Sequence, residues 1–187
     1  MNTFVGLDQS LNNTGIAIKR GPKVVTTVIK HTSSRSVFER VLLTRDLLRQ
    51  ILTAAAPAVV YMEDVFYVRK NISAVTSLIR VENMVQLLCH DLGTCTKSLP
   101  ASPRLTNSWS RQLGFTNTKE DAAAFFLPYF VTNSKPTEHE TDALGILHGG
   151  LISDNLATRH CMLGVQIQRV EPKDALRNPT ELTDRLL

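Results

Sequence analysis

Cysteine and aromatic residues are scarce in this sequence. Its 187 residues include three cysteines and one tryptophan, and aromatic residues make up 6% of the chain. Cys89, Cys95 and Cys161 are odd in number and match no zinc-binding spacing. This argues against a disulfide-stapled secreted scaffold and against a zinc finger. It predicts reduced thiols in an intracellular, cytoplasmic protein.

Long apolar runs and a basic leader are also missing. The uncharged run 51–62 contains Pro57 and is well short of the roughly 20 apolar residues that a membrane span requires. No basic residue precedes the first apolar run, so we expect no secretory signal and no membrane association. Hydrophobic residues make up 43% of the chain and charged residues 20%, which is typical of globular domains and excludes collagen-like and disordered chains.

The chain is only mildly basic. Lysine and arginine total 21 and aspartate and glutamate total 17, which gives a formal net charge of +4. A small basic excess is compatible with nucleic-acid binding, but many proteins that bind no nucleic acid share it. The length allows one domain with a small extension. We predict a domain over residues 1–163 and a C-terminal extension over 164–187, where the hydrophobic pattern weakens.

Hydrophobic periodicity predicts an α/β domain with a mixed, five-stranded sheet flanked by helices. Three segments joined by short links predict an antiparallel meander at 3–8, 15–19 and 24–29. Helical spacing then alternates with short strands, which predicts helices at 35–53 and 73–90 and strands at 58–62 and 94–99. Two further helices are predicted, one at 118–130 and one from Thr137, which has Glu140 at capping-box spacing. This order of elements is typical of an α/β fold.

Three acidic residues stand out by their predicted positions. Asp8 ends the first strand, Glu63 ends the fourth strand, and Asp142 lies near the start of the last helix. If the fold brings them together, they offer the hard oxygen ligands that Mg²⁺ and Mn²⁺ prefer. Two such ions about 4 Å apart can activate a water and stabilise the leaving oxygen of a phosphodiester. His139 shares a helix face with Asp142, and an imidazole there can ligate a metal or carry a proton.

Each of these residues also has an ordinary structural interpretation. An aspartate at a strand end is commonly a turn residue or a helix cap. A His-x-x-Asp pair on a helix is commonly a solvated or paired surface feature. Glu138 and Glu140, which flank His139, are also the first-turn acids that a helix dipole favours. The neighbouring residues are what favour a functional interpretation.

Those neighbours resemble four motifs of the RuvC-like Holliday junction resolvases. The first is VGLDQS at 5–10 followed by Thr14-Gly15, and the second is YMEDVF at 61–66. Lys70-Asn71 and the helix behind it also fit the family. The terminal acidic motif, whose first acid is aspartate or histidine in that family, is matched by HETDAL at 139–144. The motifs occur in the family's order over residues 3–153, and the stretch 103–113 is more similar to viral members.

The resemblance implies a ribonuclease H-like fold and a homodimer that makes paired, metal-dependent nicks across a four-way DNA junction, in a bacterial or virus-infected bacterial cell. Carried over position by position, it implies that catalysis and metal binding rest on Asp8, Glu63, His139 and Asp142. Asp8 would bridge two Mg²⁺ ions, for which Mn²⁺ can substitute, and Glu63 and Asp142 would hold them.

The resemblance also implies contacts to the junction DNA. Phe66 matches the aromatic residue that stacks on a base, and Lys119 matches the second of two basic residues beside the scissile phosphate. The first basic position aligns near Ser108 or Trp109, and Arg111 is the candidate to replace it. Arg69 and Lys70 are positioned in the sequence to neutralise phosphates as well. The ordinary alternatives are solvated surface charges for the basic residues and a core position for the two aromatic ones.

Other functions stay open at this point. The same site could act more broadly on forks, flaps or RNA–DNA hybrids. The chain could also be a non-catalytic junction-binding protein, although binding phosphate does not need clustered carboxylates. Residues 8–15 further resemble the phosphate hairpin of actin-like ATPases, but those need two domains of this fold and this chain is too short. We expect no nucleotide cofactor, because the sequence contains no GxxxxGK loop.

Overall fold

The chain folds around one mixed β-sheet. The computed structural model describes residues 1–32, 34–65, 72–101, 108–116, 118–131, 135–158 and 165–170. Its strands are β1 (Thr3–Asp8), β2 (Asn13–Arg20), β3 (Lys23–Lys30), β4 (Val59–Glu63), β5 (Cys95–Leu99) and β6 (Gln166–Arg169). Their order across the sheet is β5-β4-β1-β2-β3-β6. The first three strands form the predicted antiparallel meander, and the other neighbouring pairs are parallel.

The prediction of five strands was wrong, because β6 adds a sixth. It pairs in parallel with β3, and Ile167 lies opposite Val24. Ile167 is the one buried residue of this four-residue strand, so the sequence shows no repeated alternation there. The strand lies inside the segment that we predicted to be a C-terminal extension. The domain division at residue 163 stays a prediction, and residues 171–187 lie outside the described part of the chain.

Helices cover both faces of the sheet. In the described residues they are α1 (Val37–Ala55), α2 (Ile72–Asp91), α3 (Trp109–Leu113), α4 (Thr118–Phe126) and α5 (Glu138–Ser153). The short helix α3 was not predicted. The helix predicted over 118–130 ends at Phe126 and continues as a 3₁₀ turn over Leu127–Tyr129. Pro128 in this turn has no N–H with which to continue the α-helical hydrogen bonds.

Each face of the sheet has its own hydrophobic core. Helices α1 and α2 cover the face that carries Val5, Leu7, Ile16 and Ile18. Helices α3, α4 and α5 cover the opposite face. Because successive residues of a strand point to opposite faces, Gly6 of β1 lies on the side of α5.

Helical spacing predicts an apolar side of α2 made of Val75, Leu78, Ile79, Met84 and Leu88, and this prediction is only partly correct. Val75, Met84 and Leu88 are buried as predicted, whereas Ile79 is 41% exposed. The buried side also includes Val81, Val85 and Cys89. The helix has apolar residues on several sides, so periodicity could not decide which side faces the sheet. Against our expectation, α2 is long and apolar enough to cross a membrane by length and composition alone, a test that core helices pass as well.

Two glycines bring α5 unusually close to the sheet. A Cβ atom at Gly15 of β2 would lie 2.7 Å from the carbonyl carbon of His139, and nearer still to its oxygen. A Cβ atom at Gly6 of β1 would lie 2.7 Å from the backbone nitrogen of Leu147. Neither position has room for a side chain. These glycines therefore set the distance between the first two strands and the helix that carries His139 and Asp142.

A buried ion pair fixes the start of α5. The helix begins with the predicted capping box, in which the Glu140 N–H donates to Thr137 Oγ1 at 3.3 Å and the Thr137 N–H donates to Glu140 Oε2 at 2.8 Å. Glu140 is fully buried. Arg169 of β6 donates from Nε to Glu140 Oε1 at 2.8 Å and from its second nitrogen to Oε2. The sixth strand thus anchors the first turn of α5.

We predict that Arg169→Met destabilises the protein strongly. The change leaves the Glu140 carboxylate buried without its cation, which costs about 3–5 kcal/mol for a buried pair. Arg49→Met is the control, since it breaks the exposed Arg49–Asp91 pair, in which both side chains are about half exposed. That change should cost less than about 1 kcal/mol. Urea unfolding followed by circular dichroism measures both, and equal losses in the two variants would contradict the account.

Candidate active site

Two carboxylates meet at one edge of the sheet because their strands are parallel neighbours. Leu7 of β1 lies opposite Met62 of β4, so the next residues, Asp8 and Glu63, end adjacent strands. The Gln9 side chain donates a hydrogen bond from Nε2 to the backbone carbonyl of Glu63. This bond ties the two strand ends together. The fold therefore brings these two strand ends together, as the argument for a shared acidic site requires.

The first turn of α5 brings two further groups to the same place. His139 Nδ1 lies 2.6 Å from Asp8 Oδ2 and donates a hydrogen bond to it. The two side chains are 31% and 20% exposed, so the pair lies at the rim of the protein rather than in its core. Asp142 follows one turn later on the same helix face. The charge of Asp8 reaches Asp142 and adds to the rise in the pKa of that carboxyl.

The protonation of the carboxylates reflects this crowding. Burial raises the pKa of Glu63 to about 8; the hydrogen bond from Trp109 opposes that rise, and the charges of Asp8 and Asp142 add to it. Burial likewise raises the pKa of Asp142 to about 7, and the charge of Asp8 adds to the rise. Such shifts are expected where several acids share a partly dry site.

His139 balances part of the negative charge. Its hydrogen bond to Asp8 raises the pKa of the imidazole, burial opposes the rise, and the charges of Asp8 and Asp142 add to it. The charged imidazole is therefore favoured as long as the carboxylates have no other cation. A ring held in this way can keep a proton at Nδ1 or release it near neutral pH.

The donor set suits a hard divalent cation. Asp142 Oδ1 is buried and has no hydrogen-bond partner among the described residues. A cation would give that oxygen a partner and offset the repulsion among the three carboxylates. Asp8 accepts a hydrogen bond from His139, and Glu63 accepts one from Trp109. Among the described residues, no three His, Cys, Asp or Glu side chains are placed so that they could hold one metal ion. Metal binding by these four residues therefore stays a prediction.

Comparison with known proteins identifies the fold. No protein-family model and no curated protein sequence matches the chain. Among solved structures, Thermus thermophilus RuvC in complex with a Holliday junction substrate matches with a TM-score of 0.67 and 18% identity, over 84% of this chain and 99% of that one. The chain has the RuvC fold. A second Thermus thermophilus RuvC structure matches with a TM-score of 0.64 and 19% identity, over 83% and 98% of the two chains.

The RuvC fold confirms the predicted ribonuclease H-like α/β architecture, with six strands instead of five. Across such a distant relationship the likeness establishes the fold alone. The chemistry has to be argued from the side chains of this chain.

Two of the predicted DNA contacts can be located on the RuvC fold. Lys119 Nζ lies 2.6 Å from Glu138 Oε1 and is 71% exposed. Its charge lowers the pKa of Asp142, so the ammonium group lies beside the acidic cluster. Arg111 is exposed on α3. The other three predicted contacts lie outside the described residues, namely Phe66, Arg69 and Lys70.

Sequence reasoning missed the role of Trp109. We expected either a core position or a DNA contact. The ring is indeed buried, with 4% exposed, but its indole N–H also donates a hydrogen bond to Glu63 Oε1. The available signal was the pair Gly145 and Gly149, one turn apart on α5, which opens a groove for a large ring. That pattern indicates that a large side chain packs against α5 at these glycines, but it does not indicate which acidic residue that side chain contacts.

We predict that the metal-free protein loses stability as the pH rises from about 5 to about 8. Glu63, Asp142 and His139 all have folded-state pKa values above their ordinary ones, so in this range these three groups bind more protons in the folded protein than in the unfolded chain, which outweighs the opposite effect of the lowered pKa of His31. Each kcal/mol lost lowers the Tm by about 2–4 °C. Thermal unfolding in EDTA measures the slope, and Glu63→Gln should flatten it. A Tm that rises over this range, or a slope unchanged in Glu63→Gln, would contradict the assignment.

Proposed function

We propose that this protein is a structure-selective endodeoxyribonuclease that resolves four-way DNA junctions by paired, divalent-metal-dependent phosphodiester hydrolysis. The observation that carries the proposal is the convergence of Asp8, Glu63, His139 and Asp142 at one sheet edge of a RuvC fold. A protein that only bound DNA would gain nothing from these acids, because carboxylates repel phosphates. The RuvC neighbour in complex with a Holliday junction substrate supports the same substrate class.

The four residues would together hold two Mg²⁺ or Mn²⁺ ions. When bound, such ions supply an activated water and stabilise the charge that develops on the scissile phosphate. Asp8 is the residue best placed to be shared, because it contacts His139 and its charge acts on both Glu63 and Asp142. Glu63 and Asp142 approach it from β4 and α5.

His139 contributes a proton store next to the shared acid. Its Nδ1 hydrogen-bonds Asp8, and that bond raises the pKa of the imidazole, which favours the protonated ring. The ring can therefore deliver a proton to a leaving oxygen, or lose it and ligate through nitrogen. We propose that Lys119 and Arg111 bind phosphates beside the site, and that further DNA contacts come from Phe66, Arg69 and Lys70.

We predict that Asp8→Asn and Glu63→Gln abolish cleavage of a synthetic four-way junction and leave junction binding within a few-fold of wild type. Each change removes the anionic ligand while keeping the size of the side chain. Nicking is measured on labelled junctions with and without Mg²⁺, and binding by gel shift. Asp46→Asn is the matched control, because Asp46 is an exposed acid on α1 that pairs with its neighbour Arg45. It should nick at the wild-type rate.

A panel of linear duplex, fork, flap, RNA–DNA hybrid and four-way junction determines the substrate range. Symmetric nicks confined to the junction would support a resolvase. Equal cleavage of forks or flaps would indicate a broader branched-DNA nuclease with the same site. Tight junction binding without nicking at any metal concentration would contradict catalysis and indicate a junction-binding protein.

We also propose that the active form is a homodimer in which α1 and α2 face the partner. Phe38 is 70% exposed and Leu87 is 67% exposed, and both line one apolar groove between the two helices. Large apolar side chains in one exposed groove are typical of an interaction surface. A two-fold dimer would place two identical sites toward opposite strands of a symmetric junction.

We predict that Leu87→Glu converts the dimer to a monomer, since it would place a charge in the apolar contact. Analytical ultracentrifugation measures the mass. Leu156→Glu is the control, because Leu156 is similarly exposed but follows α5 on the opposite side of the sheet. A wild-type protein that is monomeric in solution and still makes paired nicks would contradict the dimer. So would a Leu87→Glu variant that, like Leu156→Glu, keeps the solution mass of the wild-type protein.

A further inference from the structure

We propose that Trp109 is a positioning residue for Glu63, and that its indole N–H fixes which carboxylate oxygen is available to a divalent cation. The proposal deepens the function proposed above and rests on it. The indole N–H donates to Glu63 Oε1. A cation would then be met by Oε2, so that Glu63 would act as a one-oxygen ligand in a fixed orientation.

The ring of Trp109 is itself held firmly in place. A Cβ atom at Gly149 would lie 2.6 Å from Trp109 Cβ, and one at Gly145 would lie 2.9 Å from Trp109 Cδ2. Phe115 packs edge-on against the ring, with centroids 6.1 Å apart and planes at 86°. A buried ring in such a groove has no freedom to reorient. The direction of its N–H is therefore set by the fold and not by Glu63.

The same ring joins the two halves of the proposed site. It is seated on Gly145 and Gly149 of α5, the helix that carries His139 and Asp142, and its N–H reaches Glu63 at the end of β4. Any shift of α5 relative to β4 would thus be transmitted to the Glu63 carboxylate. Partners that orient a metal ligand in this way typically change metal affinity by 10–100-fold when they are removed.

A purely structural role for Trp109 makes a different prediction. In that case, shrinking the ring would lower stability and leave metal affinity alone. Trp109→Phe keeps an aromatic ring in the groove and removes the N–H. Phe115→Leu is the matched control, because it loosens the same aromatic contact and leaves the N–H in place.

The test measures Mn²⁺ binding to the intact protein by calorimetry, without DNA, and the Mn²⁺ dependence of junction nicking. We expect Trp109→Phe to raise the Kd for Mn²⁺ by 10–100-fold and to shift the metal dependence of nicking by the same factor. Junction binding without metal should stay at the wild-type level. Phe115→Leu should lower the Tm and leave the Kd within two-fold. An unchanged Kd in Trp109→Phe, or equal shifts in both variants, would overturn the proposal.

A second readout needs no Trp109 variant. Trp109 is the only tryptophan in the chain, so tryptophan fluorescence comes from the ring whose N–H contacts Glu63. We expect Mn²⁺ to quench this emission in the wild-type protein with the calorimetric Kd, and Glu63→Gln to remove the response. Calorimetric binding without quenching would overturn the proposal. If Mn²⁺ quenches the emission and Trp109→Phe raises the Kd for Mn²⁺, but the protein cleaves no junction, then the positioning role of Trp109 stands and the proposed nuclease function is rejected.

Discussion

The close approach of α5 to β1 and β2 is the constraint on which the candidate site depends. Gly6 and Gly15 leave room only for hydrogen atoms between the strands and the backbone of the helix. This contact places His139 Nδ1 2.6 Å from Asp8 Oδ2, although the two residues are 131 positions apart in the sequence. A larger residue at either glycine would push the helix outward and separate the acids of β1 and β4 from those of α5.

Holding these charges together has an electrostatic cost that the rest of the fold offsets. The raised pKa values of Glu63 and Asp142 show that burial disfavours their charged forms. The start of α5 is nevertheless fixed, since its capping box is reinforced by the buried pair between Glu140 and Arg169. Strain of this kind is commonly concentrated at functional sites. A bound divalent cation would relieve it and stabilise the folded protein.

The sequence predicted much of this arrangement because the informative signals are local. Strand periodicity located β1 to β5 closely, and the Thr137–Glu140 spacing predicted the start of α5. Three features could not be predicted. The strand β6 has one buried residue and is stabilised by pairing with β3. The buried side of α2 cannot be identified from the sequence, because the helix carries apolar residues on several sides. The hydrogen bond from Trp109 to Glu63 depends on how α3 packs on α5. All three depend on tertiary contacts between distant segments.

The most direct test of the account is an anomalous diffraction map of crystals grown or soaked with Mn²⁺. The account predicts anomalous peaks next to Asp8, within ligand distance of Glu63 and Asp142, with His139 either ligating or displaced from Asp8. It also predicts that the peaks disappear in Asp8→Asn. A map in which saturating Mn²⁺ gives no peak there, while His139 stays bonded to Asp8, would contradict the claim that these four side chains form a metal-dependent nuclease site.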